Sequence, residues 1–171
     1  NGSQIGASLG VAHTTARRYL DLLTGAYILR QLQPWYENAG KRLVKSPKIY
    51  FRDSGLLHQF LKISSMRDLL AHPKLGFSWE GFAMEQVLAR FGEQDSFFWA
   101  THAGAELDLL FMRHGKRWGF EFKFTESPEI TKSMRIALHD LKLERLYIIY
   151  PGNKSVQLDK KIELAGLNHF N

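Results

Sequence analysis

A chain of 171 residues, 44% hydrophobic and 23% charged, is long enough for one mid-sized or two small packed domains and is ordinary in composition for a globular protein. It has no cysteine, which excludes disulfides and thiolate sites and suits the cytoplasm. No apolar run approaches the ~20 residues a membrane helix needs. The formal charge of +6 is concentrated. The first 52 residues hold eight Lys and Arg against two Asp and Glu, and the remainder holds fifteen of each. Such a basic third is either polyanion-facing or a solvated surface. The chain opens on Asn1, shows no basic-apolar-small leader pattern, and reads as a piece cut from a longer protein.

Gln4 to Leu9 reads as a short helix stopped by Gly10, and a second helix runs from His13–Thr14 to Thr24, ending at Gly25. Ala16, Leu20 and Leu23 form its apolar stripe, and Thr14 or Thr15 is the expected N-cap. Two helices separated by about four residues have helix-turn-helix spacing. That places Thr14, Arg17 and Arg18 where a recognition helix meets nucleic acid. Ile28–Leu32 and Lys48–Phe51 are strand-like, so the hairpin between them reads as a wing whose tip carries Lys41, Arg42, Lys45 and Lys48. Trp35 and Tyr36 lie nearby. They serve either exposed bases or the packing of the wing on its own helices.

Asp53 caps a helix to Leu61 and Ser65 caps a second to His72. We place a winged helix-turn-helix at 1–61, a connection at 62–76 and a second domain at 77–171. In the helix 77–91 the stripe is Met84, Val87, Leu88 and Phe91, and one turn back lies Glu80. Glu85 falls off the stripe and is expected in solvent. Phe97–Ala100 is a strand. Two adjacent strands then run from Ala103 to Thr125, joined by a turn around Gly115. An amphipathic helix, 129–141, is followed by the apolar strand Leu146–Tyr150, of the kind buried on both faces. Val156–Leu158 and Ile162–Leu164 are read as edge strands. The expected class is α/β (α+β), with an αβββαβ core and a mixed central sheet.

Alternation along the third strand puts Trp118, Phe120, Phe122 and Phe124 on one face and Gly119, Glu121 and Lys123 on the other. Asp108 stands on the neighbouring strand. Hard oxygen donors from Glu80, Asp108 and Glu121, with the Phe122 carbonyl, suit Mg²⁺ or Mn²⁺. Lys123 would then orient or deprotonate water or neutralise phosphoryl charge, which makes Asp108, Glu121 and Lys123 the candidate catalytic set. The bland alternative is that Glu121 and Lys123 form an ion pair, Asp108 caps a strand end and Glu80 bridges to a basic side chain. There is no phosphate loop of P-loop type, no His pair at helical ligand spacing for zinc and no Gly-x-Ser-x-Gly elbow.

The pattern Asp108…Glu121-Phe122-Lys123, with Glu80 upstream, resembles the PD-(D/E)XK restriction-endonuclease-like superfamily, although Leu107 stands where the motif's proline would be. More of the chain resembles the C-terminal half of a prokaryotic family of P-loop AAA-type ATPases. There a winged helix precedes a nuclease-like domain of unknown function. The stretches that carry this likeness are Arg18–Leu23, Lys45–Leu57, Trp79–Phe82, Gly104–Asp108, Glu121–Lys123 and Tyr150–Gly152. The resemblance implies an ATPase module upstream in the same polypeptide, and it implies fold more strongly than activity. Three functions are therefore weighed: a Mg²⁺- or Mn²⁺-dependent endonuclease aimed at DNA by the winged helix; an inert nuclease-like fold whose winged helix binds DNA or docks on the ATPase; or a protein-interaction or regulatory domain with no nucleic-acid role.

Overall fold

The computed structural model describes residues 2–36 and 46–170. The first part is α1 (Gly2–Leu9), α2 (His13–Gly25), β1 (Leu29–Leu32) and β2 (Lys48–Phe51), a helix-turn-helix followed by an antiparallel hairpin. Gly10, at φ +66°, takes the left-handed conformation that ends α1. Neither Thr14 nor Thr15 caps α2. The helix already begins at His13, its N-cap is Ala12 with no side-chain bond, and both threonines lie inside the first turn. Of the expected stripe, Ala16 and Leu20 are buried and Leu23 is exposed. The wing-tip residues Lys41, Arg42 and Lys45 lie outside the described residues.

Two short helices follow, α3 (Ser54–Phe60) and α4 (Met66–Ala71). Asp53 and Ser65 accept from the Leu56 and Asp68 amides, so both expected caps are present. Then come α5 (Leu75–Phe91), β3 (Ser96–Ala100), β4 (Glu106–Arg113), β5 (Lys116–Phe122), α6 (Lys132–Asp140), β6 (Arg145–Tyr150), β7 (Ser155–Asp159) and β8 (Ile162–Gly166), with a final 3₁₀ turn at Leu167–Phe170. The αβββαβ order is present. The sheet runs β3-β4-β5-β6-β8-β7 and is mixed, with β5–β6 and β6–β8 parallel and the other pairs antiparallel. Only β7 of the last two strands is an edge; β8 inserts between β6 and β7. β4 and β5 are joined by His114 (φ 51°) and Gly115 (φ 72°), a two-residue turn whose twist matches the strands.

One hydrophobic cluster lies between α5 and the sheet and includes Met84, Val87, Leu88, Leu109, Phe111, Phe120 and Phe122. The other lies under α6 and includes Met134, Leu141, Leu143, Leu146 and Ile148. Leu32 and Tyr50 of the hairpin belong to the first cluster. Tyr50 stacks on Phe77 of α5 at 5.5 Å. Trp35 packs edge-on against Phe97 at 5.0 Å, not against its own helices. Its amide donates to Phe98 O at 2.7 Å, and the Phe98 amide donates to Gln33 O at 3.0 Å, so the segment after β1 pairs with the outer edge of β3. That pairing covers an open sheet edge and fixes where β2 lies over α5.

Candidate functional site

Glu121 is placed by alternation on β5, and Lys123 follows just past the strand end, where its amide still donates to Ile149 O at 2.9 Å. Phe124 lies beyond the sheet, half exposed against Trp79. Asp108 is placed by an irregularity. Phe97 pairs with Leu110 and Trp99 with Leu107, so Phe98 faces two residues of β4, Asp108 and Leu109. This is a β-bulge, a feature that re-aims side chains near functional sites. It sends Leu107 and Leu110 to the α6 cluster and Leu109 and Phe111 to the α5 cluster. The Asp108 carboxylate is left at the strand ends, where its Oδ2 accepts from the Phe122 amide at 3.1 Å.

Around Asp108 the charges alternate. Lys123 Nζ lies 2.8 Å from Glu121 Oε2 and 3.8 Å from Asp108 Oδ2. On the other side Lys48 Nζ lies 3.4 Å from both Asp108 Oδ1 and Glu80 Oε1. The Tyr50 hydroxyl donates to the same Glu80 oxygen. The sequence Glu80–Lys48–Asp108–Lys123–Glu121 is thus one continuous network of three carboxylates and two ammonium groups. Asp108 and Glu121 are buried, with side chains 5% exposed. Glu121 Oε1 is buried without a hydrogen-bond partner.

Burial, followed by the charge of Asp108, pushes the Glu121 carboxyl up to about 8, and the same two causes raise Glu80. Burial alone would lower both lysines. The neighbouring carboxylates, Asp108 foremost, outweigh it and hold each above the ordinary lysine range. A carboxyl whose folded pKa is raised binds its proton more tightly in the native state. Its contribution to stability is therefore fully present below the unfolded pKa and lost as pH rises through the folded one. Glu121→Gln should accordingly melt close to wild type near pH 4.5 and gain on it progressively up to about pH 8, by roughly a few kcal/mol. Thermal melts across that range check this. A stability difference independent of pH would contradict it.

The expected site residues Glu80, Asp108, Glu121 and Lys123 are brought together. Lys48 was expected at the wing tip. It opens β2, as the strand reading of Lys48–Phe51 expected, but reaches the carboxylates, so it and Tyr50 are site neighbours the linear reading missed. The signal was present in the alternation of Lys48, Tyr50 and Arg52, which all turn toward α5. Glu85 is not in solvent: its side chain is 12% exposed and paired with Arg30 and Arg52. Thr14, Arg17 and Arg18 are exposed together on α2, remote in sequence from this centre.

Oxygen donors, a buried carboxylate oxygen without a partner and a concentration of negative charge match the chemistry of a hard divalent cation. The spacing does not offer a ready cage. Among the described residues no three Asp, Glu, His or Cys side chains are grouped to hold a metal ion, and the two ammonium groups each contact a pair of the carboxylates. Among the described residues, too, no helix is long and apolar enough to cross a membrane.

By architecture this is a mixed α+β chain with a helix-turn-helix and hairpin packed on a six-stranded sheet that carries an acid–lysine centre. The profile of a domain of unknown function, DUF4143, matches residues 75–170, and that of another, DUF8612, matches residues 1–67. The chain belongs to the DUF4143 family. It is similar to an uncharacterized protein of Mycobacterium bovis (Mb2031c) and one of Mycobacterium tuberculosis (Rv2008c). Each is 50% identical over 162 residues, a stretch covering 95% of this chain. The match takes in 37% of either relative, so the chain spans little more than a third of their length. No solved structure matches it.

Proposed function

We propose that the chain is the C-terminal part of an AAA-type ATPase and that its acid–lysine centre hydrolyses phosphodiester bonds in DNA, in the cytoplasm. The observation that carries this reading is the convergence of Glu80, Asp108, Glu121 and Lys123, from α5, β4 and the end of β5, on one buried network. Asp108, Glu121 and Glu80 would hold Mg²⁺ or Mn²⁺, which when bound supplies an acidified water and a polarised phosphoryl oxygen. Asp108 is fixed by the Phe122 amide, and Glu80 by the Tyr50 hydroxyl. Lys123 is partly exposed beside Glu121, where its ammonium would neutralise charge gathering on a phosphoryl group. The test is conversion of supercoiled plasmid to nicked and linear forms with Mn²⁺ or Mg²⁺, comparing wild type with Lys123→Ala and Asp108→Ala.

DNA delivery falls to Thr14, Arg17 and Arg18 on α2 and to the basic sequence that holds Lys41, Arg42 and Lys45, which lies outside the described residues. Doubling Arg17→Ala with Arg18→Ala should weaken duplex binding and reduce the slope of log K against log salt by about two, one released counterion per lost phosphate contact. Fluorescence anisotropy over a salt series reads both. An unchanged slope would remove α2 from the DNA interface.

The second reading is an inert nuclease-like fold that serves as a DNA-binding or regulatory module of the ATPase. It is favoured by the Glu121–Lys123 pair at 2.8 Å and by the lack of a grouped metal-holding triad among the described residues. On that reading the plasmid stays intact while the α2 variant still loses DNA.

A further inference from the structure

The two matched domains divide the chain between residues 67 and 75, yet the charged network crosses that division. Lys48 stands in the first domain and each carboxylate it touches in the second. Its position is over-determined. β2 is held over α5 by Tyr50 on Phe77, by the Arg30 and Arg52 pairs with Glu85 and Glu93, and by the Gln33–Trp35 segment on β3. A half-buried ammonium is costly unless paired, and this one is shared between two carboxylates of different elements at equal distance.

We infer that Lys48 is the resident counter-ion of the acidic centre, supplied by the hairpin of the first domain, and that a divalent cation shared by Glu80 and Asp108 must displace it. This rests on the metal-dependent reading above. A cation bridging Glu80 and Asp108 and the Lys48 ammonium compete for the same carboxylate pair. Lys48 is the lysine that yields, for two reasons. Both of its contacts are 3.4 Å, whereas Lys123, 3.8 Å from Asp108, is anchored at 2.8 Å on Glu121 outside the contested pair. Lys123 is also tied by chain proximity to Glu121, two residues away, whereas Lys48 reaches in from another domain on a long side chain. When Lys48 withdraws, the Tyr50 hydroxyl still holds Glu80 in place. In the ionised state that a metal requires, three carboxylates against two ammonium groups leave one net negative charge; without Lys48 the same set carries two, and its attraction for a dication grows accordingly.

The experiment is calorimetric titration of Mn²⁺ into the 171-residue chain, its Lys48→Met and Lys48→Arg variants, and Asp108→Ala as the control for the site. Lys48→Met should bind Mn²⁺ at least tenfold more tightly than wild type, Lys48→Arg should bind no more tightly than wild type, and Asp108→Ala should lose the site. Equal affinity in wild type and Lys48→Met overturns the displacement while leaving the metal reading in place. No binding by either into the millimolar range overturns both. A second measurement, free of any packing change in Lys48→Met, follows the wild type itself. The ¹³Cε resonance of Lys48, assigned by its loss in Lys48→Arg, should shift along a Mg²⁺ titration to a free-lysine value. A resonance that stays fixed while Mg²⁺ binds overturns the inference.

Discussion

Lys123→Ala should lower metal-dependent plasmid cleavage by about 10²–10³-fold or more while leaving DNA retention intact, the loss typical for removing one group that stabilises developing charge. The geometry gives two routes to the loss. The ammonium that neutralises phosphoryl charge disappears. Glu121 also loses the partner that favours its ionised form: burial and Asp108 already hold that carboxyl up at about 8, and without Lys123 it rises further and a neutral acid becomes a poor donor. Lys123→Arg keeps the charge but not the compact shape and should recover only part of the rate. Single-turnover cleavage of supercoiled plasmid with Mn²⁺ separates these outcomes. Asp108→Ala, which strips the central carboxylate from both lysines, should be as damaging. Cleavage by Lys123→Ala at the wild-type rate would end the nuclease reading of this centre.

Half of that centre was legible because it rests on short-range geometry. A strand places residues two apart on one face, so Glu121 and Lys123 came as a pair, and Trp118, Phe120 and Phe122 went to the opposite side. Glu80 was found because a helix places it one turn before buried Met84. What stayed hidden depends on contacts between distant segments. The bulge at Asp108 and Leu109 is a property of β3 and β4 together and has no signature in either run alone. Lys48 is separated from Asp108 by 60 residues, and a lysine that opens a strand after a basic loop looks like a wing contact until the strand is laid on α5. The order of the last strands was equally out of reach: Val156–Leu158 and Ile162–Leu164 are alike as short stretches alternating apolar and polar, and only the parallel register with β6 makes the second internal. The expected threonine cap failed for the opposite reason, since a shift of two or three residues in where α2 starts turns a cap position into an ordinary first-turn position.

Glu85 was misplaced by the same kind of reasoning, and correcting it leads to the largest expected stability effect. Arg30 of β1 is 9% exposed and grips Glu85 with two nitrogens, Nη2 reaching Oε2 at 2.9 Å. Its guanidinium also reaches Glu93 at 3.2 Å, and Arg52 reaches Glu85 at 3.2 Å. This is a bidentate cluster, in which removing Glu85 leaves the buried Arg30 guanidinium with only the half-exposed Glu93, itself shared with Arg52. Glu85→Ala should therefore destabilise the chain by about 3 kcal/mol, within the range seen when a buried pair is broken from one side. For a chain of this length that corresponds to a fall in Tm of roughly 10 °C. Replacing both members, as Arg30→Met with Glu85→Leu, should recover most of the loss, because no charge is then stranded. The double-mutant cycle isolates the coupling. Urea unfolding of the four proteins measures it, and a cost below about 0.5 kcal/mol for Glu85→Ala would show the cluster to be solvated and energetically idle. The same cluster positions β2, so Glu85→Ala should also loosen Lys48 over the acidic centre. A change in the Lys48 resonance that appears in this variant, about five helical residues away from Glu80 on α5, would tie the stability of the hairpin contact to the charge state of the site.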